Sequence, residues 1–185
     1  MKILIIGAHG ALGKIITAEF TKKHDVVTAG RTTGDVRVDI AAPESIENMF
    51  RTVTELDACI CVAGDSETCD LPQLTEEHLN TGIKNKLLGE INLVLIGQKY
   101  LNDNGSFTLT SGKMADKPIK GSAGKAFING AINSFAMAAA LDLERGLRLN
   151  AVSPAKVGKV SEEAIIEAYL KSVEGDVNGE VIRVY

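Results

Sequence analysis

Short apolar runs and longer helical patterns alternate from one end of the chain to the other. The first run, Lys2–Ile6, is rich in branched side chains, which is typical of a strand buried on both faces. A glycine turn follows, and then a helical pattern in which Ile15, Ile16 and Phe20 are apolar. By the same criteria, later runs predict strands over residues 25–29, 36–38, 56–62, 106–110, 147–152 and 180–185.

Helical patterns fill the intervals between these runs. Pro43 begins a helix that reaches Val53, a helical turn covers residues 75–79, and residues 113–124 indicate a loop. Longer helices are predicted over residues 83–101, 125–145 and 162–173, with stop signals at Asn102-Asp103-Asn104-Gly105 and Gly146. This alternation predicts an α/β fold in which helices cover both faces of a parallel sheet. Without a repeat or linker, residues 1–185 are expected to form a single domain.

Composition and charge exclude several classes of protein. Of the 185 residues, 45% are hydrophobic and the net charge is −4, so disordered chains are excluded and nucleic acid is not an expected partner. No apolar run approaches the roughly 20 residues of a membrane span, and the chain opens on a core strand, so we expect a cytoplasmic protein with no membrane partner. Cys59, Cys61 and Cys69 form no disulfide framework, and neither they nor the scattered histidines suggest a metal site.

The turn after the first strand carries the first candidate chemistry. Its sequence, Gly7-Ala8-His9-Gly10-Ala11-Leu12-Gly13, places three glycines between a strand and a helix. Such glycines permit a tight turn, let the backbone approach a phosphate and let the helix pack close to the strand. The N-terminus of that helix favours a bound anion. The candidate cofactor-binding residues are Gly7, His9, Gly10, Leu12 and Gly13. Because the spacing is looser than Gly-x-Gly-x-x-Gly, a plain glycine turn before a packed helix is the alternative.

Four motifs together resemble the short-chain dehydrogenase/reductase family over nearly the whole chain. They are Gly7-x-x-Gly10-x-x-Gly13, Cys61-Val62-Ala63-Gly64, Leu109-Thr110-Ser111-Gly112 and Arg148-Leu149-Asn150-Ala151-Val152-Ser153-Pro154. The resemblance implies a three-layer Rossmann fold, with a seven-stranded parallel sheet in the order 3-2-1-4-5-6-7, and a nicotinamide cofactor. It also implies that Ala63, Gly64 and Pro154 contact that cofactor.

The residues after the second and third strands indicate which nicotinamide cofactor is bound. An acidic residue after the second strand would bind the adenosine ribose and repel a 2′-phosphate, but this chain has Arg31 and Thr32 there and no acid before Asp35. A guanidinium beside a hydroxyl suits a 2′-phosphate, although a solvated loop arginine is the alternative. Asp39 and Ile40 match the family positions that meet the adenine amine and ring. We therefore expect NADP(H) rather than NAD(H).

The catalytic half of the chain departs from the family. Ser111 matches the serine that hydrogen-bonds the substrate carbonyl, but the chain contains no Tyr-x-x-x-Lys, in which the family's tyrosine donates a proton with help from the lysine. Counting back from Arg148 places Lys125 at the tyrosine position and Asn129 at the lysine position. A rival alignment, with Gly121 and Lys125 in those places, requires additional residues in the helix.

The family's helix-borne asparagine is also displaced. Lys86 stands in its place and Asn85 is adjacent. Residues 155–160 lead almost directly into the last helix, so little chain remains to close over a bulky substrate.

Three functions follow from this departure. The first is an NADP(H)-dependent oxidoreductase for a small carbonyl or alcohol, in which Lys86, Lys113 or Lys125 delivers the proton after burial lowers its pKa. The second is a catalytically inactive NADP(H)-binding sensor or interaction protein, and in the third the fold serves only oligomer packing. Helices 83–101 and 125–145 correspond to the family's dimer helices, so a homo-oligomer is expected. Internal packing against the sheet is the alternative, and dimer and tetramer stay equally open.

Overall fold

Seven parallel strands form one sheet in the computed structural model, which describes residues 1–64 and 67–185. In space the strands follow the order β3-β2-β1-β4-β5-β6-β7, and each neighbouring pair is parallel. The predicted fold class and strand order are therefore confirmed. The strands are β1 (Lys2–Ile6), β2 (Asp25–Gly30), β3 (Val36–Arg37), β4 (Leu56–Cys61), β5 (Leu101–Thr110), β6 (Arg148–Pro154) and β7 (Val181–Val184).

Helices cover both faces of this sheet because its strands are apolar on both faces. Ile3 and Ile5 pack against one pair of helices, whereas Leu4 and Ile6 pack against the helices on the opposite face. The first pair is α1 (Ala11–Phe20) and α6 (Glu162–Glu174), and the other face carries α2 (Pro43–Thr52), α4 (Leu88–Gly97) and α5 (Ala123–Ala139). A shorter helix, α3 (Glu76–Gly82), continues into α4 through a π-helical turn at Ile83–Leu87. In the described part of the chain, no helix is both long and apolar enough to cross a membrane.

The helix predicted over residues 83–101 ends earlier than expected, and β5 begins earlier. Helix α4 stops at Gly97, and Leu101 already pairs with Leu56 of β4. The polar residues after Leu101 form an irregularity, because pairing resumes only at Ala58 and Ser106. The stop signal therefore lies inside a bulged strand rather than between two elements.

The helix predicted over residues 125–145 has both ends wrong. Helix α5 begins at Ala123 and ends at Ala139. The chain then turns tightly, with Arg145 and Gly146 both at positive φ. The Arg145 guanidinium donates to backbone carbonyls of Gln98 and Leu101, which ties this turn to the start of β5. Long-range contacts of this kind override the local helical pattern.

Two helical glycines test how closely the layers pack. A Cβ on Gly97 would lie 2.5 Å from Cζ of Phe50, so Gly97→Ala should lower the free energy of unfolding by about 1–3 kcal/mol. A Cβ on Gly130 in α5 would meet no described atom within 4 Å beyond its own helical backbone and chain neighbours, so Gly130→Ala should instead raise the free energy of unfolding by about 0.5–1 kcal/mol. Urea unfolding measures both values, and equal effects of the two substitutions would contradict this packing.

Candidate functional site

A cleft of about 280 Å³ lies at the carboxyl ends of the first four strands of the chain. Parallel strands bring their carboxyl ends to one edge of the sheet, which is where ligands of such sheets bind. Five of the predicted cofactor residues line the cleft together, and the sequence analysis gave no cofactor role to the other four. The nine lining residues are Ile6, Gly30, Arg31, Val38, Asp39, Ile40, Ala63, Gly64 and Asn85.

The glycine turn beside this cleft has the geometry of an anion cradle. Gly7 has a φ of +87°, and a Cβ there would lie 2.8 Å from the Ala63 nitrogen. A Cβ on Gly13 would lie 2.1 Å from the Gly7 carbonyl oxygen, so α1 packs directly on the turn. Gly10 caps α1, and within the described residues no side chain caps this helix and no acid occupies its first turn. The backbone N–H groups at the start of α1 thus form a site suited to an anion.

His9 and Leu12 have different surroundings within this turn. His9 is exposed beside the exposed Gly10, whereas Leu12 is half-buried and packs on the apolar cluster under α1. Neither residue lines the cleft described above. Of the two, only His9 has a side chain available to a ligand on the outer side of the turn.

The far end of the cleft carries a positive charge and a fixed carboxylate. Arg31 is exposed at the cleft, while Thr32 is exposed but lies outside its lining. One Asp39 carboxylate oxygen accepts a hydrogen bond from the Ala41 nitrogen at 3.0 Å, which holds this side chain in place. Ile40 is 7% exposed and forms part of the apolar wall.

Asp35, the first acid after β2, is directed back along that strand. Its carboxylate accepts hydrogen bonds from the Thr28 nitrogen at 2.9 Å and the Thr28 hydroxyl at 2.7 Å. The backbone bond, followed by the hydroxyl bond, lowers the pKa of Asp35. Asp35 does not line the cleft, so Arg31 is the charged residue after β2 that faces it.

Asn129 lies beside the turn that follows Ser111 at the end of β5, and Lys125 precedes Asn129 by one turn of α5. Ser111 is 7% exposed, and its hydroxyl has no hydrogen-bond partner among the described residues. A buried hydroxyl without a partner is costly, which favours a ligand or water there. Asn129 packs on Gly112, where a Cβ would lie 3.0 Å from its amide nitrogen, and Lys125 is half-buried one turn earlier in α5.

Lys125 and Asn129 both lie within α5, whereas Gly121, the first residue of the rival alignment, does not. Gly121 precedes α5 rather than lying within it, at a φ of +77°. A Cβ there would lie 3.0 Å from a carboxylate oxygen of Asp70, away from Ser111 and Gly112. Gly121 and Lys125 therefore do not share a helix face. Pro154, the last residue of β6, pairs with Val184 and lies outside the cleft lining.

Lys86 is engaged in a buried ion pair rather than reaching the cleft. Its ammonium lies 2.7 Å from a carboxylate oxygen of Glu90 and donates to the Thr110 carbonyl oxygen, also at 2.7 Å. The other Glu90 oxygen accepts from the Thr110 nitrogen at 2.8 Å. The last residue of β5 paired with β4 is Thr108, so these two side chains supply partners that the strand lacks. Burial raises the pKa of Glu90, and the nearby Lys86 opposes that rise.

The side chain of Thr110 is also hydrogen-bonded. Its hydroxyl donates to the Cys61 carbonyl at 2.6 Å and lies 2.7 Å from the hydroxyl of Tyr169. The residue before Ser111 is thus fixed through all its polar groups. Sequence reasoning missed Glu90 and Tyr169, although the four-residue spacing of Lys86 and Glu90 is a signal for an intrahelical pair.

The cysteines are consistent with small apolar residues. Cys59 and Cys61 are buried in the same apolar cluster, on one face of β4. Burial raises the pKa of Cys59 to about 12 and also raises that of Cys61. Neither thiol is ionised at neutral pH, so neither is a nucleophile in this site.

Comparisons with known proteins agree with this geometry. A family model described as enoyl-(acyl carrier protein) reductase matches residues 6–175. The crystal structure of the protein lin1944 from Listeria innocua is 42% identical, with a TM-score of 0.96 over the whole of both chains. Two crystal structures of a small-chain dehydrogenase, one in complex with NADPH, are 28% and 25% identical, with TM-scores of 0.89. They align with 100% of this chain and with 95% and 96% of their own. A search of curated proteins found no match.

Removing one member of the Lys86–Glu90 pair should destabilise the protein more than removing the charge of both. Lys86→Met leaves a buried carboxylate unpaired and should cost about 3–5 kcal/mol of unfolding free energy. Adding Glu90→Gln removes the charge, keeps an acceptor for the Thr110 nitrogen and should recover more than half of that loss. The penalty of the single variant should shrink as pH falls, because the unpaired carboxyl then takes up a proton.

Denaturant unfolding at several pH values measures this double-mutant cycle. Lys22→Met is a matched control, since its pair with Glu19 is exposed and should be worth less than about 1 kcal/mol. Simple addition of the two losses in the double variant would contradict a coupled pair.

Proposed function

The chain belongs to the short-chain dehydrogenase/reductase family of nicotinamide-dependent oxidoreductases, and from this premise we propose that it uses NADP(H) to interconvert a small carbonyl compound and its alcohol. The observation that carries the choice of cofactor is the position of Arg31, which lines the cleft. The first acid in sequence after β2, Asp35, is bound to Thr28 instead. A guanidinium there favours a 2′-phosphate through charge and paired N–H donors. The 25% identical dehydrogenase in complex with NADPH supports the same choice.

The residues present fit such a cofactor along the whole edge of the sheet. The turn from Gly7 to Gly13 has backbone N–H groups for a diphosphate at the start of α1, a helix end that no described side chain caps. Gly7 and Gly13 let this turn pack directly against the end of β4 and against α1. At the adenosine end, Arg31 and Thr32 would hold the 2′-phosphate, with Asp39 at the adenine amine and Ile40 on its ring. Ala63 and Gly64 form the wall between the two, and Pro154 would contact the nicotinamide half.

Ser111 would bind the reacting oxygen of the substrate. When bound, NADPH supplies the hydride that the carbonyl carbon accepts. The Ser111 hydroxyl is buried and has no partner in the described residues, so it is available to donate to the carbonyl oxygen. Thr110, locked by Glu90, Lys86 and Tyr169, keeps that hydroxyl in place.

Lys125 and Asn129 would flank the substrate from α5. Both residues lie on one face of the helix, and Asn129 contacts the turn that follows Ser111. We assign Lys86 to a positioning role through Thr110, because its ammonium is already bonded to Glu90 and to the Thr110 carbonyl.

We also propose that the protein is a homo-oligomer that assembles through α4 and α5. Apolar side chains on these two helices are about half exposed, which is unusual for a helix surface that faces only solvent. They are Leu88, Leu95, Phe127 and Met137.

Arg31→Ala should separate the two nicotinamide cofactors. Loss of a charge-assisted contact to the 2′-phosphate should weaken NADPH binding by about 10- to 100-fold, and NADH binding by less than about twofold. Calorimetric titration of both cofactors measures this difference. Arg37→Ala is the matched control, since its guanidinium donates to the Gly34 carbonyl and lies outside the cleft lining, so it should change neither affinity. Equal losses of NADPH and NADH would show that Arg31 does not contact the phosphate.

Ser111→Ala should abolish chemistry while leaving the cofactor bound. With a panel of small aldehydes, ketones and quinones, NADPH oxidation should fall by about 10²- to 10³-fold, because a donor to the developing oxyanion is lost. Ser106→Ala, earlier in β5, should keep wild-type turnover. If the wild-type protein binds NADPH but turns over none of these compounds, the catalytically inactive sensor becomes the better assignment.

A further inference from the structure

Three hydroxyl-bearing residues follow one another across the ends of β5, β6 and β7. Thr110 pairs with Val152, and the Ser111 nitrogen donates to the Val152 carbonyl at 2.9 Å, so Ser111 and Ser153 lie side by side. Ser153 in turn pairs with Arg183, two residues before Tyr185. Side chains alternate between faces, and Leu109, Ala151 and Val181 all pack on the α5 side. The residues two positions further along, and Tyr185 with them, therefore lie on that same side.

Ser153 repeats the unusual state of Ser111. Its side chain is 0% exposed, and its hydroxyl has no hydrogen-bond partner within the described residues. The side-chain oxygen of Asn133, on the α5 face that covers β6, is also buried and unpartnered. Buried polar atoms are nearly always paired, so two adjacent strand-end hydroxyls in this state are candidates to hydrogen-bond a ligand oxygen.

Tyr185 lies at the outer end of this row. Its hydroxyl donates to an Asp116 carboxylate oxygen at 2.5 Å, and the Arg183 guanidinium donates to the same oxygen. The Ser153 hydroxyl is near enough to lower the pKa of Tyr185, although the two groups do not meet in a hydrogen bond. Burial, and then the bond to Asp116, outweigh that effect and raise the pKa of Tyr185, so the phenol keeps its proton at neutral pH.

Two lysines support a negative charge on this phenol when one forms. The ammonium groups of Lys117 and Lys113 lie 4.9 Å and 5.9 Å from the centre of the Tyr185 ring. Together with Arg183 they reduce the repulsion between a phenolate and the Asp116 carboxylate. A phenol flanked by cations can act as a proton donor. Helix α5, where the family's tyrosine would lie, contains no tyrosine.

We propose that Ser153 shares the substrate oxygen with Ser111 and that Tyr185 supplies, through Ser153, the proton that this oxygen takes up. The inference rests on the proposed carbonyl reduction. The carbonyl carbon accepts the hydride, the C=O π electrons move to oxygen, and that oxygen takes the Ser153 hydroxyl proton. Ser153 takes the phenol proton of Tyr185, and the phenolate is reprotonated from solvent. A bound NADPH would supply the hydride and so account for the two electrons, and alcohol oxidation runs through the same steps in reverse.

Ser153→Ala is the first test, with Ser172→Ala as its matched control. Both serines are 0% exposed, but Ser172 is paired with the Thr108 hydroxyl at 2.7 Å. Ser153→Ala should lower kcat by about 10²-fold, with the melting temperature and NADPH affinity unchanged, because it removes a donor to the reacting oxygen and breaks no bond. Ser172→Ala should lower the melting temperature and leave kcat unchanged. An unchanged kcat for Ser153→Ala would contradict the proposed role of Ser153.

Tyr185→Phe is the second test, with Tyr100→Phe as its control. Tyr100 also donates its hydroxyl to a carboxylate, that of Glu47, but at the opposite end of β5. Tyr185→Phe should lower kcat by about 10²-fold without changing the dissociation constant of NADPH, and Tyr100→Phe should not change kcat.

Turnover and cofactor binding separate the possible failures. If the wild-type protein reduces carbonyl compounds and Ser153→Ala and Tyr185→Phe do so equally well, the proton comes from elsewhere and this inference alone is wrong. If the wild-type protein binds NADPH without turnover, the proposed function fails and the inference fails with it.

Discussion

Parallel pairing of β1 with β2 and β4 is the constraint on which the rest of the molecule depends. Strands that run in one direction need a crossover between each pair, and those crossovers bring helices to both faces of the sheet. The alternating isoleucine and leucine side chains of β1 are buried on both faces for that reason. The same constraint places the carboxyl ends of the strands at one edge, so the glycine turn, Arg31, Asp39 and Ser111 all lie along that edge although they are distant in sequence.

The site combines a region in which every polar group has a hydrogen-bond partner with one in which buried hydroxyls have none among the described residues. Backbone pairing of β5 with β4 ends at Thr108, and Lys86 and Glu90 bond the backbone groups of Thr110 in place of a strand. Immediately beyond it, the hydroxyls of Ser111 and Ser153 have no partner in the part of the chain described. A rigid support under unpaired polar groups is the arrangement expected where a ligand, rather than the protein, completes the hydrogen bonds.

Most of the fold, and the cleft that five of the predicted residues line, could be predicted from sequence. Apolar strands and glycine turns are local signals, and the positions of Arg31, Asp39 and Ile40 follow from where each strand ends. The ends of α4 and α5 could not be predicted in the same way, because the Arg145 turn and the bulged start of β5 depend on contacts between distant segments. The contact of Lys86 with the Thr110 carbonyl and the place of Tyr185 depend on how distant segments are brought together, which no local pattern encodes.

The π-helical turn at Ile83–Leu87 sets the rotational phase between α3 and α4. An α-helix advances by about 100° per residue, and a π turn accommodates one residue more than an α turn. That additional residue lets Asn85 line the cleft while Lys86, its neighbour, is directed into the interior toward Thr110. A single-residue deletion in this turn would restore regular α geometry and rotate one of the two helix faces out of alignment. Homologous chains that differ in length here would therefore present a different side chain to the adenosine end, even with every strand unchanged.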